Sequence, residues 1–320
     1  MRLKMKAVAQ NQRNKDLYFN RKECPGCSTT VSKATPKIHS CPQAECITPQ
    51  EHGQFLSGYT NNRFFFSYYR CENCSLLYCP TYYNDNQLGS LYKNQPENMA
   101  EIPLNCRVKT QYNYFKKLKK YSSLKGGYLE IGADIGIFTS FCVQEGNFDS
   151  FYLFEPNVET HGLLKKATGK HPSKIITENF QSSHILPQKI STAVIIHTLD
   201  HVLEPRTLLR EMSQCLEKDG VLLLVTHDES SFLARLLKKR WPPYTLQHPQ
   251  LFSPKTMTGI LQEEGFQVLE VSKSANVFPL FYLIKSFFVV FGLNKVKLPE
   301  FASLTLPIKL GNILTIARKM

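Results

Sequence analysis

The chain has 320 residues, of which 42% are hydrophobic and 20% charged, so it has material for one sizeable core and a smaller satellite unit. No apolar run that could serve as a secretory signal follows the basic start MRLKMKAVAQNQRNK, which gives the expectation of a cytoplasmic protein. The first seven of its ten cysteines fall in one stretch rich in CxxC, which argues for reduced thiols and a metal over a disulfide framework. The net charge of +13 suits an anionic partner such as nucleic acid, a sugar nucleotide or an acidic membrane surface, and carries no information about fold.

In chain order, residues 1–23 are polar, basic and without apolar period, and read as a flexible tail. Paired cysteines and aromatics replace helix patterning from Cys24 to about Pro80, and the stretch 24–100 is taken as a cysteine-rich metal-binding module. The segment QYNYFKKLKKYSSLKGG then reads as a helix with a solvated lysine face, ended by Gly126 and Gly127. From Tyr128 the text alternates: a strand YLEIG, a helix from Gly136 to Glu145, a strand FYLFEP, a helix near 158–168, and the strands KIIT and AVIIHT. A helix follows, opened by Pro205 and running to about Leu216, then a turn at Asp219-Gly220 and the buried strand VLLLVTH. Short apolar runs separated by helix-length segments imply a parallel sheet. Ser253-Pro254 has the form of an N-cap and first-turn proline, Gly265 stops that helix, and FQVLEVS and NILTIARK close the pattern as strands. The stretch VFPLFYLIKSFFVVFGL is about as long as a short membrane span. Lys285 in its middle and Pro279 near its start favour burial under a lid or in a dimer contact instead, so no transmembrane span is expected. Oligomeric state is not legible.

The densest chemical signal is Glu130-Ile131-Gly132-Ala133-Asp134-Ile135-Gly136, set where a buried strand turns into a helix. Glycines there let the backbone turn tightly and approach a ligand, and the helix start offers free N–H groups. Glu155, at the end of the next strand, stands where a carboxylate would accept hydrogen bonds from both hydroxyls of a ribose. A dinucleotide and S-adenosylmethionine both fit that logic. Glu130, ahead of the first glycine, is poorly placed for a pyrophosphate and well placed for the amino-acid end of S-adenosylmethionine.

With LEIGADIGIFTSF, FEPN, HTLDHVLEP and the closing helix-strand pattern, the chain from about Tyr128 to Met320 resembles the class I S-adenosylmethionine-dependent methyltransferases, and residues 101–320 are taken as that domain. The resemblance implies a Rossmann-like α/β fold, with a seven-stranded sheet whose last strand is antiparallel, preceded here by the small zinc-binding module. It also implies that Gly132 and Gly136 border the methionine moiety, Glu155 holds the ribose, the Glu178-Asn179-Phe180 turn flanks the adenine and His197 lines the methyl-transfer site. Asp134 occupies the family's middle glycine. Aspartate tolerates positive φ better than most residues, so the loop is expected to survive, the alternative being a degenerate cofactor site.

Cys24-Pro25-Gly26-Cys27 and Cys71-Glu72-Asn73-Cys74 form two CxxC knuckles whose four thiolates suit one structural Zn²⁺, with His39, Cys41, Cys46 and His52 as spare ligands. CPGC followed by CENCSLLYCP resembles the zinc-binding region that precedes the catalytic domain of sugar and natural-product methyltransferases, and implies a small-molecule, sugar-nucleotide or glycan acceptor. A base would help if the acceptor is a hydroxyl or an acidic C–H, and His201, His197 and His248 are the candidates. Asp200 could orient an imidazole or cap the next helix, and Trp241 and Tyr244 could form an acceptor wall or simply pack on the core. Two other readings compete. The basic runs KKLKK and RLLKKR would suit an RNA methyltransferase, and a catalytically inactive, methyltransferase-like binding protein would follow if Asp134 blocks the cofactor.

Overall fold

The computed structural model describes residues 17–31, 36–52, 64–93, 101–291, 293 and 304–320. The N-terminal module contributes four two-residue strands, β1 (Phe19–Asn20), β2 (Tyr69–Arg70), β3 (Leu77–Tyr78) and β4 (Thr81–Tyr82). Its first strand corrects the boundary expected at residue 23. Residues 17–23 belong to the module: β1 pairs antiparallel with β4, Tyr18 is buried, and Arg21 forms a 2.8 Å ion pair with Glu204. The rest of the expected tail, 1–16, lies outside the described residues.

Beyond the module run β5 (Lys125–Ile131), β6 (Asn147–Phe154), β7 (Ser173–Ile176), β8 (Ile190–Ile196), β9 (Leu216–His227), β10 (Gln250–Leu251), β11 (Phe266–Pro279) and β12 (Thr305–Lys319). Seven of these form one sheet in the order β11-β12-β9-β8-β5-β6-β7, with β12 antiparallel to both neighbours and the pairs among β5 to β9 parallel. The expected seven-stranded sheet with an antiparallel last strand is therefore present. From β5 the chain winds outward to β6 and β7, then returns to β8 on the other side, so the carboxyl ends of β5 and β8 flank the point where strand order reverses. Open α/β sheets bind ligands in the crevice there.

The sheet is covered on both faces. Alternate residues of β9 divide accordingly: Leu222 and Leu224 pack with Leu209, Met212, Met257 and Ile260 on one side, whereas Val221, Leu223 and Val225 pack with Phe115, Phe138 and Leu164 on the other. This period of two explains why the strand reads as an uninterrupted apolar run. Ser253 caps the helix Pro254–Glu263 with a reciprocal bond to Thr256, as its position before Pro254 led one to expect.

Two expectations need correction, and a third segment can be placed. The lysine-rich helix is Leu104–Leu118 and ends before the glycines; Gly126 and Gly127 lie inside β5. Asp219-Gly220 does not break the chain but forms an irregularity within β9, where pairing with β8 shifts register and Asp219 takes φ 65°. The apolar stretch 277–293 divides between the end of β11 and an eleven-residue helix, Leu280–Val290, that has no buried residue and leaves Phe287 58% exposed. No helix among the described residues is long and apolar enough to cross a membrane.

The module is not a separate bead. Strand β10, supplied by the sheet domain, pairs with β3 to complete a three-stranded sheet. Around it, Phe65, Phe66, Tyr68, Tyr82 and Tyr83 share one buried cluster with Trp241, Tyr244 and Leu246. Tyr68 donates to the His248 carbonyl at 2.6 Å, Tyr82 to the Leu246 carbonyl, and Arg70 makes two bonds to Glu229. Each large side chain buried in this seam contributes about 1.5–3 kcal/mol.

Candidate functional site

A cavity of about 790 Å³ opens over the carboxyl ends of β5, β6 and β8. Its wall includes Glu130, Gly132, Asp134, Glu155, Asn179, Phe180, His197 and His201, so most of the residues singled out from sequence converge on one space. Gly136 is not among its lining residues. Its φ is 77°, and a side-chain carbon there would run into Ala167 and Leu164; the glycine lets the following helix approach. Gly132, at φ 76°, lines the cavity and leaves no room for a side chain because Thr198 packs against it.

Asp134 adopts φ 48°, the left-handed conformation that its expected tolerance of positive φ allows. Its backbone N–H donates to one Glu155 carboxylate oxygen at 2.8 Å, and the N–H of Asn157 donates to the other at 2.9 Å. Each oxygen keeps further acceptor capacity, as a diol would require. Glu130 lies deeper, receiving Thr139 at 2.5 Å and Tyr128 at 2.7 Å on a single oxygen. Burial raises its pKa to about 7 in spite of those two donors. A buried carboxyl poised in this way fits a cationic ligand group better than a phosphate.

Beside the cavity four imidazoles and one carboxylate cluster; His197 and His201 line it, whereas His227, the expected candidate His248 and Asp200 stand behind them. The His201 and His248 rings are 4.7 Å apart, with their Nε2 atoms at 3.1 Å. His248 Nδ1 points at the Pro243 carbonyl at 2.6 Å, so that nitrogen carries the proton and Nε2 accepts from His201. With that proton placement, His201 donates through Nε2. Burial lowers the pKa of both rings. Burial likewise brings His197 down to about 3, assisted by neighbouring His227.

Asp200 is fully buried, and its Oδ2 lies 2.5 Å from His227 Nδ1. Burial alone would raise its pKa, but the adjacent His227 holds it well below the ordinary range. Asp200, expected beside His201 as an orienter of an imidazole or as a helix cap, instead bonds to His227. His227 itself was missed in the sequence, although it is the last residue of a strand next to β8, where open sheets place functional groups. Trp241 and Tyr244 are buried in the seam with the module, so they pack and do not line the cavity.

The four thiols of the CxxC knuckles meet as their spacing implies. Their sulfurs lie within 4.8 Å of one another, with Cys24–Cys74 at 3.7 Å and Cys27–Cys71 at 3.5 Å. A tetrahedral ion bonded at about 2.3 Å separates its sulfurs by about 3.8 Å, so the cluster fits one. The two knuckles are built alike: Ser28 N–H bonds to the Cys24 carbonyl, Ser75 N–H to the Cys71 carbonyl, and both serines take positive φ. The spare ligands lie elsewhere. Cys41 is exposed, His39 turns to the Ser40 carbonyl, Cys46 faces Gln43, and buried His52 sits between Tyr18 and Tyr83.

Residues 107–271, more than half of the chain, match the model of a family described as methyltransferase domain. Solved structures similar to the chain include those of three methyltransferases. The first is a chain of the complex between the Trm112 methyltransferase activator and a methyltransferase of Haloferax volcanii, with 11% identity, TM-score 0.49, and coverage of 67% of this chain and 93% of that one. The second is an S-adenosylmethionine-dependent methyltransferase of Thermotoga maritima, with 19% identity, TM-score 0.44, and coverage of 68% and 92%. The third is the magnesium protoporphyrin IX methyltransferase of Synechocystis, with 11% identity, TM-score 0.45, and coverage of 74% and 88%. The comparison with curated proteins finds no match.

Proposed function

This chain belongs to the methyltransferase-domain family, and from that premise we propose that it moves a methyl group from S-adenosylmethionine to a small, hydroxyl-bearing acceptor, a sugar, sugar nucleotide or glycan, at oxygen or carbon. The observation that carries this reading is the single cavity that joins the Glu130–Glu155 end to His201. In it, Glu155 would accept the ribose hydroxyls and Glu130 would face the amino group of the methionine moiety. Asn179 and Phe180 would flank the adenine, and Gly132 and His197 the sulfur. The cofactor supplies an electrophilic methyl on a sulfonium centre, and the protein has to align the acceptor with it in a dry pocket.

For the acceptor, the wall offers Gln111, whose buried Oε1 has no hydrogen-bond partner and suits a hydroxyl donor. His201 Nδ1 is the atom that would take the acceptor's proton. His248 holds its tautomer and shares the charge that results. In the module, one Zn²⁺ on Cys24, Cys27, Cys71 and Cys74 would be structural, since four protein ligands leave no open position. Through β3 and β10 the module braces the segment 241–251, which carries His248.

The test is calorimetric titration with S-adenosylmethionine and its demethylated product, beside Glu155→Ala, followed by mass spectrometry of sugar-nucleotide acceptors for a gained methyl. Micromolar binding that Glu155→Ala abolishes is the expected result. A folded wild-type protein that binds neither compound would return the chain to the reading of an inactive, methyltransferase-like binding protein.

A further inference from the structure

We propose that His197, Asp200 and His227 form a second metal centre, distinct from the four cysteines, that takes a divalent first-row transition ion of the Zn²⁺, Fe²⁺ or Co²⁺ type. The three residues come together because β8 and β9 are adjacent and parallel. His197 follows β8 and its N–H bonds to the Val225 carbonyl of β9 at 2.8 Å, His227 is the last residue of β9, and Asp200 lies in the turn between His197 and His201. One ligand atom from each lies within 4.8 Å of the others. A tetrahedral ion with bonds of about 2.0–2.2 Å holds its ligand atoms roughly 3.4 Å apart, so side-chain adjustment would bring the set onto one ion.

Two features point to an occupant. His197 Nδ1 and Asp200 Oδ1 are both buried and without a hydrogen-bond partner, although buried polar groups are nearly always satisfied. In addition, Asp200 is a wholly buried carboxylate whose sole ion-pair partner among the described residues is an imidazole. An ion would satisfy both orphaned atoms and supply the countercharge. With Nδ1 on the ion, the His197 Nε2–H needs an acceptor, and the Asn312 amide is 3.4 Å away, presenting oxygen once turned end for end.

Two imidazoles and one carboxylate favour borderline transition ions over Mg²⁺ or Ca²⁺. Three protein ligands leave a position open for water or an acceptor oxygen, and the 20% exposure of the His227 side chain gives a route in. This inference goes beyond the proposed reaction and stands without it.

The experiment is metal analysis of the full chain after loading with Zn²⁺ and, separately, Co²⁺, in the wild type and in His227→Gln and Asp200→Asn. Two equivalents per chain are expected, falling to one in each variant. Cobalt should show intense thiolate charge-transfer bands from the cysteine site in all three proteins, and weak d–d bands of a nitrogen–oxygen site in the wild type alone. Circular dichroism and thermal melting check that the variants are folded, and calorimetry with S-adenosylmethionine reports on the cofactor site separately. A wild type that holds metal through thiolates only would overturn the proposal even if it binds the cofactor tightly, so the two ideas fail separately.

Discussion

Glu130 is the residue whose chemistry is most sensitive to its surroundings. Its carboxyl ionises near pH 7 in the folded chain, against an ordinary value of 4.5, because burial disfavours the charge. Between those values the folded state holds more protons than the unfolded state, so the group's contribution to stability is present below about 4.5 and is lost as pH rises towards about 7. Thermal unfolding of the free protein across that window should therefore fall more steeply with pH in the wild type than in Glu130→Gln. A ligand with a positive amino group prefers the ionised form, so affinity for S-adenosylmethionine should rise as pH passes through about 7, and Glu130→Gln should flatten the profile. An unchanged profile in the variant would place the amino group elsewhere. Glu130, Gly132 and Glu155 were legible as a site because a strand-to-helix turn fixes them locally, within a few residues of each strand end. The bond between Asp200 and His227 was not, because it joins two strand ends that only sheet order makes neighbours.

At the scale of elements, the glycine loop separates two roles that look identical in sequence. Gly132 lines the cavity, whereas Gly136 is held by the helix His161–Thr168, whose Ala167 and Leu164 occupy the space a side chain would need. Gly136→Ala should lower unfolding stability by roughly 1–3 kcal/mol through positive φ and overpacking, with cofactor affinity in the folded fraction little changed. Gly132→Ala should cost both stability and affinity. Urea denaturation beside calorimetry distinguishes the two, and equal affinity losses would mean that the Gly136 turn also touches the ligand. The helices and strands were read largely correctly because their apolar periods survive in the text. Where β9 runs on through Asp219-Gly220, a bulge against β8 absorbs residues that otherwise signal a turn.

For the molecule as a whole, the cysteine module is part of the wall behind the site. Trp241 is the chain's single tryptophan and is buried in the cluster that joins the module to the segment carrying His248. Its emission is a built-in probe of that seam. Removing metal with a strong chelator should lower the melting temperature and shift Trp241 fluorescence to the red, both reversed by Zn²⁺. A chelated protein with unmoved tryptophan emission would show that the seam holds without the ion. What the sequence determined by itself was everything set by local pattern: the alternating strands and helices, the strand-end acids, the loop glycines and the two CxxC knuckles. What only the tertiary structure decided were the meetings between distant segments: β3 with β10, His201 with His248, and Asp200 with His227. The physical reason is that periodicity and spacing record which face of an element is buried, whereas strand order and the packing of whole faces decide which buried faces, and which polar groups at their ends, come into contact.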